Sequence, residues 1–319
     1  MKKSIFAFAA ALAALVACNK NEATPMQPQN QESLVPCELT VGICGAMTKA
    51  TAVSTDNEAK VNNLQVFVFR GDDLDAYASV DNAQELTLSC TAGDRVVYAL
   101  VNAPDYSAVP GKAALLAKVS ELSANSLSNF EMVGSKSVTL PQSEKVSIDV
   151  NRIASRVVLK KITRSFTSEA LQALNFKVDA IYLINVAGNT SYDLSAAPAK
   201  WHNVAENKNE LASLLYDAPA SLITNGQSYS TAHTFYAYPN DLATNTTRLV
   251  IETTLGETKY YYPINLPEMA ANKSYEIEEV KITRPGSDNP DEPVSFADAT
   301  FSINVIDWTV VPVTEGTTI

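Results

Sequence analysis

The sequence contains few of the residues from which catalytic and metal centres are built. Its 319 residues include only two histidines, four cysteines and two tryptophans. Both histidines lie far from any cysteine, so a zinc pattern is excluded; we predict His202 to be a surface or packed residue and His233 to be structural. Motifs for nucleophile elbows, metalloproteases, phosphate loops and dinucleotide loops do not occur. We therefore predict no enzyme, no cofactor and no metal, although paired carboxylates distant in sequence stay open.

Positive charge is also scarce. The chain has 24 basic and 35 acidic side chains, a net charge of −11 at pH 7. Such a chain repels the phosphates of nucleic acids and anionic lipid head groups, which excludes nucleic acid as a partner. The acidic segment 285–293, PGSDNPDEP, has enough oxygen atoms for calcium, but we favour an acidic hinge loop.

No hydrophobic run is long enough to span a membrane. Residues 5–17 are apolar or small throughout, but a spanning helix needs about 20 residues. With two lysines before it, this run is typical of a bacterial signal peptide, which we assign to residues 1–17. Its end, LVAC, resembles the lipobox of bacterial lipoproteins, in which Cys18 becomes the lipidated first residue. We expect a palmitate-bearing outer-membrane lipoprotein with 22 basic and 35 acidic residues, a net charge of −13, because two lysines are lost with the signal.

The remaining cysteines do not form a disulfide framework. Once Cys18 carries lipid, Cys37, Cys44 and Cys90 leave an odd number. Cys37 and Cys44 are seven residues apart, so in a strand they point to opposite faces. We predict free buried thiols rather than a disulfide.

Short alternating segments dominate what is present. Leu39, Val41 and Ile43 alternate with polar or small residues, the pattern of a half-buried strand. The segment LQVFVF at 64–69 has apolar residues on both faces, which predicts a strand buried on both sides. Three successive tyrosines at 260–262 cannot all face one way, so we expect them to divide between core and surface and consider a sugar-stacking platform a weak alternative.

These segments predict a mainly β protein with two β-sandwich (transthyretin-like) domains and a few short helices. Leu115, Val119 and Leu122 recur at helical spacing, which predicts one amphipathic helix over 111–128 with these side chains on its buried face. Shorter helices are expected near 167–174 and 208–216. The domain boundary is expected near 150–156. We assign the N-terminal domain to 50–152 and the C-terminal domain to 153–319.

Several stretches together resemble one family. NEAKVNNLQVFVFRGDDLDAY, CTAGDRVVYALVNAP, VNRIASRVVLKKI, NKSYEIEEVKITRPGSDNPDEPV and the ending FSINVIDWTVV are similar to the fimbrillins, the type V pilins of Bacteroidales. The likeness runs along most of the chain after Lys49, in matching order, and is greater to stalk subunits than to tip adhesins.

The resemblance implies a processed precursor. Residues 18–49 would be a lipidated propeptide that carries the first strand. A trypsin-like protease would cut after Lys49, the only basic residue between 38 and 59, and Ala50 would become the first residue. In the fimbrillins of oral bacteria the residue before the cut is arginine, whereas here it is Lys49, which argues against a protease specific for arginine.

Loss of the first strand would open a groove that a neighbour's tail could fill. The displaced strand would be 38–44, with Leu39, Val41 and Ile43 inward. The donor would lie near 296–319, with a bulge or bend near residues 306–307. Its proposed apolar residues are Phe301, Ile303, Val305, Trp308, Val310, Val311 and Val313.

The implied partners are other copies of this chain in a head-to-tail polymer, tip and anchor fimbrial subunits, the maturation protease, and host or bacterial surface ligands. The implied location is first the outer membrane and then a cell-surface fimbrium. A tip or anchor subunit and a surface glycan-binding lipoprotein are the alternatives.

Overall fold

The computed structural model describes residues 34–44, 56–204, 208–241, 243–293, 295 and 298–308. The signal peptide, Cys18, the cleavage site at Lys49 and Ala50, and the donor residues Val310, Val311 and Val313 lie outside this described part.

The described chain consists mainly of short β-strands. The strands before residue 153 are β1 Pro36–Cys44, β2 Asn63–Arg70, β3 Asp73–Asp81, β4 Glu85–Thr91, β5 Gly93–Val101, β6 Val119–Glu121, β7 Met132–Leu140, β8 Val146–Asp149 and β9 Asn151–Arg152. The strands after it are β10 Ser155–Leu159, β11 Ile162–Arg164, β12 Phe176–Ile184, β13 Val186–Ala187, β14 Asn189–Ser191, β15 Trp201–His202, β16 Tyr216–Asp217, β17 Ser221–Leu222, β18 Ser228–Tyr229, β19 His233–Ala237, β20 Arg248–Leu255, β21 Thr258–Asn265, β22 Lys273–Ile282 and β23 Ala299–Asp307.

Helical structure is confined to short pieces. The α-helices are α1 Lys112–Leu116, α2 Glu169–Gln172 and α3 Ala212–Leu215, and single 3-10 turns lie at Asp56–Ala59, Leu122–Ala124 and Ala243–Asn245. The prediction of a mainly β protein with a few short helices is confirmed.

A five-stranded sheet, ordered β3-β2-β5-β7-β9, contributes side chains to two different apolar clusters. Strand β2 alternates between its two faces: Val66 and Val68 pack in one apolar cluster, and Phe67 and Phe69 pack in another. All four side chains are fully buried. The predicted two-sided burial of this segment is therefore confirmed.

One face of this five-stranded sheet shares an apolar cluster with a three-stranded sheet, ordered β4-β1-β8. Strand β1 is its central strand, antiparallel to β4 and parallel to β8. The other face contributes Phe67 and Phe69 to a larger apolar cluster, which also contains residues of the second half of the chain such as Phe235 and Tyr275.

The second half forms two large sheets and the two-stranded sheet β13-β15. One sheet places β22 beside β10 and β11 on one side and beside β23 on the other. The second sheet has the order β16-β12-β20-β21. Tyr262 is fully buried, whereas Tyr260 and Tyr261 are half-buried and pack against two different apolar clusters. One tyrosine therefore lies in the core as predicted, but none of the three is fully exposed.

The long helix predicted within 111–128 is wrong. Helix α1 ends at Leu116, and the chain then forms strand β6, which pairs with β14. Val119, assigned to the buried helical face, is 47% exposed, while Ser120 is buried against the Tyr238 hydroxyl. An isolated helix of this length has marginal stability, so strand pairing with a distant segment prevails. The helices expected near 167–174 and 208–216 are present as α2 and α3, each shorter than predicted.

Candidate assembly site

Strand β1 inserts its inward side chains into a closed apolar cluster. Leu39 is 1% exposed, Val41 is fully buried, and Ile43 packs against the same cluster while half-buried. The cluster is completed by residues of β2, β4, β5 and β8, among them Val66, Val68, Leu88, Val97, Val146 and Ile148. The predicted inward set of β1 is therefore brought together on one face.

The backbone of β1 is paired on both sides. It pairs with β4 from Pro36 opposite Thr91 to Gly42 opposite Glu85, and with β8 from Val41 opposite Val146 onward. Among the described strands, β4 and β8 join their sheet only through β1. Removal of β1 would therefore expose an apolar trough between two unpaired strand edges. We call the space that β1 occupies the β1 slot.

Polar contacts line the outer face of the β1 slot. Thr40 and Thr87 share a hydrogen bond of 2.9 Å between their hydroxyls, and the Cys44 thiol donates to Asp149 at 2.9 Å. Lys145 forms an ion pair of 2.7 Å with Glu85 and lies over Gly42. The outer face is thus hydrophilic, as expected for a half-buried strand.

A buried ion pair supports the end of β4. Arg95 Nε lies 2.9 Å from Asp75 Oδ2, and both side chains are almost inaccessible. Burial raises the pKa of Asp75, but hydrogen bonds from Thr91 and Arg95 outweigh it and hold that pKa below the ordinary value. The carboxylate therefore stays charged and fixes the β4–β5 turn beside the slot.

The C-terminal strand β23 is held differently from β1. Among the described residues it pairs with β22 alone, and its other edge is open. Phe301 and Ile303 pack partly against the core, but Val305 and Ile306 are 48% and 47% exposed. Of the bulge or bend predicted near 306–307, no bulge is present: β23 stays in regular register with β22 up to Asp307, and the irregularity lies between Ile277 and Val280 of β22. The chain does change direction after Asp307, because the next side chain, Trp308, is buried.

Trp308 turns inward directly after β23 and is 1% exposed. Its ring lies 4.5 Å from the Arg152 guanidinium carbon and 5.4 Å from that of Arg156, with Phe130 and Tyr236 beside it. Its backbone N–H donates to the Asn272 carbonyl at 2.9 Å. Trp308 therefore fixes the end of β23, and it is not available for stacking on a sugar.

Glu58 connects this aromatic pocket with the segment that follows the predicted cleavage site. The Glu58 carboxylate is buried and accepts hydrogen bonds from Arg156 at 3.2 Å, from Trp308 Nε1 at 3.4 Å and from the Tyr236 hydroxyl. Its backbone carbonyl accepts two hydrogen bonds from Arg152 at 2.9 and 3.0 Å. Burial lowers the pKa of Arg152 to about 10, against Glu58, which raises it. This cluster joins the turn before β2 to the C-terminal end of the described chain, and no sequence motif indicated it.

The remaining candidates have structural surroundings. His202 Nδ1 lies 2.7 Å from Glu210, a carboxylate partner that the sequence analysis did not find, and His233 Nδ1 lies 2.7 Å from Asp217. Both rings are buried. Within the described part of the chain, no three His, Cys, Asp or Glu side chains are grouped for a metal, and no helix could cross a bilayer.

Two family models match consecutive parts of the chain. Residues 38–157 match the major fimbrial subunit protein FimA, and residues 153–272 match the C-terminal domain of Fim1C-like fimbrium tip subunits. The first model begins at Glu38 within β1 and extends into β10, and the second begins two residues before β10.

Solved structures share the fold. A protein assigned to cell adhesion from Bacteroides eggerthii is 21% identical with a TM-score of 0.69, covering 89% of this chain and 100% of that one. The fimbrilin FimA of Porphyromonas gingivalis is 15% identical with a TM-score of 0.63, covering 86% and 98%. The tip fimbrial protein Mfa3 of the same species, with a C-terminal truncation, is 12% identical with a TM-score of 0.56, covering 86% and 99%.

At these identities the solved structures establish the fold alone, whereas the two sequence models together span residues 38–272. The chain therefore belongs to the fimbrillin family: it is a structural subunit of a cell-surface fimbrium, assembled with other fimbrial subunits, and not an enzyme.

Proposed function

We propose that this protein is a stalk subunit that polymerises by replacing its own strand β1 with the C-terminal tail of a neighbour. It is made as an outer-membrane lipoprotein precursor modified at Cys18, and it matures when a trypsin-like protease cuts between Lys49 and Ala50. The observation that carries the proposal is the position of β1: a central strand in its sheet and the first strand of the described chain.

The energetics of β1 support a slot that stays closed before cleavage. Burial of a Val, Leu or Ile side chain contributes about 1.5–3 kcal/mol, so three contribute roughly 5–8 kcal/mol. The half-buried Ile43 places the sum toward the lower end of this range. Backbone hydrogen bonds to β4 and β8 add to it, because unpaired edges are left when β1 departs.

Cleavage changes how β1 competes with a neighbour's strand. Before cleavage, β1 is joined to the rest of the subunit through residues 45–55. This covalent link gives β1 a high effective concentration at its slot, of about millimolar order for a short linker. After a cut at Lys49, β1 belongs to a separate peptide, and its return is bimolecular. A tail of comparable apolar pattern can then replace it by strand addition.

The arrangement of β23 supports the C-terminus as the donor. Phe301, Ile303 and Val305 alternate along an edge strand whose second half is exposed. Trp308 is the last described residue, and the proposed donor residues Val310, Val311 and Val313 follow it in the sequence. Donor and acceptor surfaces differ, so the contact is head-to-tail and generates an open filament.

We also retain the division into domains at 50–152 and 153–319 as a proposal. The change of strand partners supports it: β9 ends the first set of sheets, and β10 begins the second. The two-stranded pairing of β6 with β14 crosses this boundary.

A tip or anchor subunit is the second candidate, because residues 153–272 match the tip-subunit model. The two candidates differ in their need for the tail. Deletion of residues 306–319 would leave a tip subunit incorporated in fimbriae but would stop a stalk. Binding to host or bacterial surface ligands is compatible with both a stalk subunit and a tip or anchor subunit.

The decisive experiment is N-terminal sequencing of the protein in fimbriae sheared from cells. The proposal requires a sequence that begins at Ala50. Sheared fimbriae whose subunits retain residues 38–44 would contradict it.

A further inference from the structure

Two cysteines face each other where β1 pairs with β4, at one edge of the β1 slot. Cys37 of β1 is directly opposite Cys90 of β4 in the antiparallel register, and their sulfur atoms are 3.7 Å apart. Both thiols are free; Cys37 is half-buried and Cys90 is buried. Both side chains belong to the apolar cluster beneath β1.

The backbone around this pair suits a cross-link. Opposed residues two positions away, Val35 and Ala92, form the ladder hydrogen bond of 2.8 Å, so Cys37 and Cys90 occupy the same type of hydrogen-bonded pair. Cα atoms in such a pair are about 5.5 Å apart, within the range of about 4.4–6.8 Å that disulfides require. Side-chain rotation alone has to bring the sulfurs from 3.7 Å to the bonded distance of about 2.0 Å.

We infer that Cys37 and Cys90 form a disulfide when a disulfide-bearing oxidant is present, and that this bond fastens the propeptide strand to the body of the subunit. The three thiols are free in the structure, as the sequence predicts, but the prediction that all are buried is wrong for Cys44, which is exposed. Strand register, which period-two alternation does not reveal, is what brings residues 53 positions apart into contact.

The bond forms by thiol–disulfide exchange, in which the oxidant accepts both electrons and no metal is needed. The Cys37 thiol loses its proton and attacks one sulfur of the oxidant, whose other sulfur leaves as a thiol. The Cys90 thiol then loses its proton and attacks the Cys37 sulfur of this mixed disulfide, which releases the second thiol. Two electrons pass from the cysteine pair to the oxidant, which becomes two thiols.

The surroundings assign the order of these steps. Burial, with Cys37 as neighbour, raises the pKa of Cys90 to about 12, and Cys37 is the more accessible of the two. Cys37 therefore reacts with the oxidant first, and Cys90 resolves the mixed disulfide. Cys44 lies on the same strand but is hydrogen-bonded to Asp149 on the outer face, so it takes no part.

The consequence, which rests on the proposed function, concerns the cut precursor. A disulfide keeps β1 attached after cleavage at Lys49, so the slot stays filled and the lipid on Cys18 stays with the subunit. Reduction of the bond completes the release. A cut subunit would then need a second, redox-dependent step before it accepts a neighbour.

The bond itself is tested on the full-length precursor, extracted in detergent, incubated with oxidised glutathione, denatured, alkylated and mapped by mass spectrometry. We expect a Cys37–Cys90 linked peptide and an alkylated Cys44. Alkyl groups or glutathione on both Cys37 and Cys90 would overturn the inference, whatever the fate of the cleavage site.

The attachment is tested by limited trypsin digestion of the same oxidised precursor, followed by denaturing electrophoresis without reductant. The fragment that contains residue 37 should remain linked to the body and should be released by dithiothreitol. Cys37→Ser should release the fragment without reductant, while the matched control Cys44→Ser should behave as wild type. Release from wild type without reductant would contradict the inference, whereas absence of a cut at Lys49 would count against the proposed function alone.

Discussion

The first and last strands of the described chain, β1 and β23, are held in opposite ways. β1 lies between two strands and buries Leu39 and Val41 completely, whereas β23 pairs with β22 alone and leaves Val305 48% exposed. Loss of β1 would open the core between β4 and β8; loss of β23 would open a sheet edge and the pocket of Trp308. The comparison suggests that a strand to be replaced is built as core, whereas a strand to be donated is built as periphery.

The largest expected effect comes from keeping β1 tethered. Lys49→Ala should yield a folded precursor that forms no polymer, because β1 then never becomes a separate peptide. The measurement is the polymer ladder seen by electrophoresis of unheated cell-surface extracts. Lys60→Ala, at the next lysine and exposed, is the matched control and should polymerise normally. Filaments formed by the Lys49 variant would refute the role of the slot.

The pocket at the end of β23 should give the largest effect on stability. Trp308→Ala removes a fully buried ring between Arg152, Arg156 and Tyr236 and should cost about 3–5 kcal/mol. The measurement is urea unfolding of the uncut precursor. A decrease in the free energy of unfolding of less than about 1 kcal/mol would show that the end of β23 is only loosely held in its own subunit.

A smaller side chain inside β1 should affect the stability of the precursor but not that of the mature subunit. Leu39→Ala should destabilise the precursor by about 2–5 kcal/mol, because it leaves a cavity in the cluster. The cut subunit freed of β1 should be unaffected, because it no longer contains residue 39. Glu38→Ala, at an exposed neighbouring position, should change stability by less than about 0.5 kcal/mol in both forms. Equal destabilisation of both forms by Leu39→Ala would show that β1 remains in place.

The smallest effect on the monomer is expected in the exposed part of β23. Val305→Asp should change the free energy of unfolding by less than about 1 kcal/mol, since surface substitutions rarely do more. It should nevertheless reduce polymer yield, because the donor then carries a charge into an apolar trough. Thr300→Asp, on the exposed opposite parity of the strand, is the control. A large loss of monomer stability would assign Val305 to the ordinary core.

The sequence predicts which side chains of a single strand face inward, but it does not predict which strands pair with one another. Period-two patterns correctly placed Leu39 and Val41 inward and divided Phe67 from Val66, because side chains alternate whatever strand lies beside them. The pairing of β6 with β14, the contact of Cys37 with Cys90 and the cluster around Glu58 depend on segments far apart in the chain. Those features require the register of the sheets, which local periodicity does not contain.

The mixed pairing of β1 has a consequence for the direction of a fibre. A strand that takes its place in the orientation of β1 meets β4 antiparallel and β8 parallel, whereas a reversed strand would have to exchange these two pairing patterns. Every insertion would then have the same orientation, so the filament would be polar, with an empty acceptor at one end and an unused tail at the other. An uncut precursor carries a tail but no vacant acceptor, and would therefore occupy one terminus only.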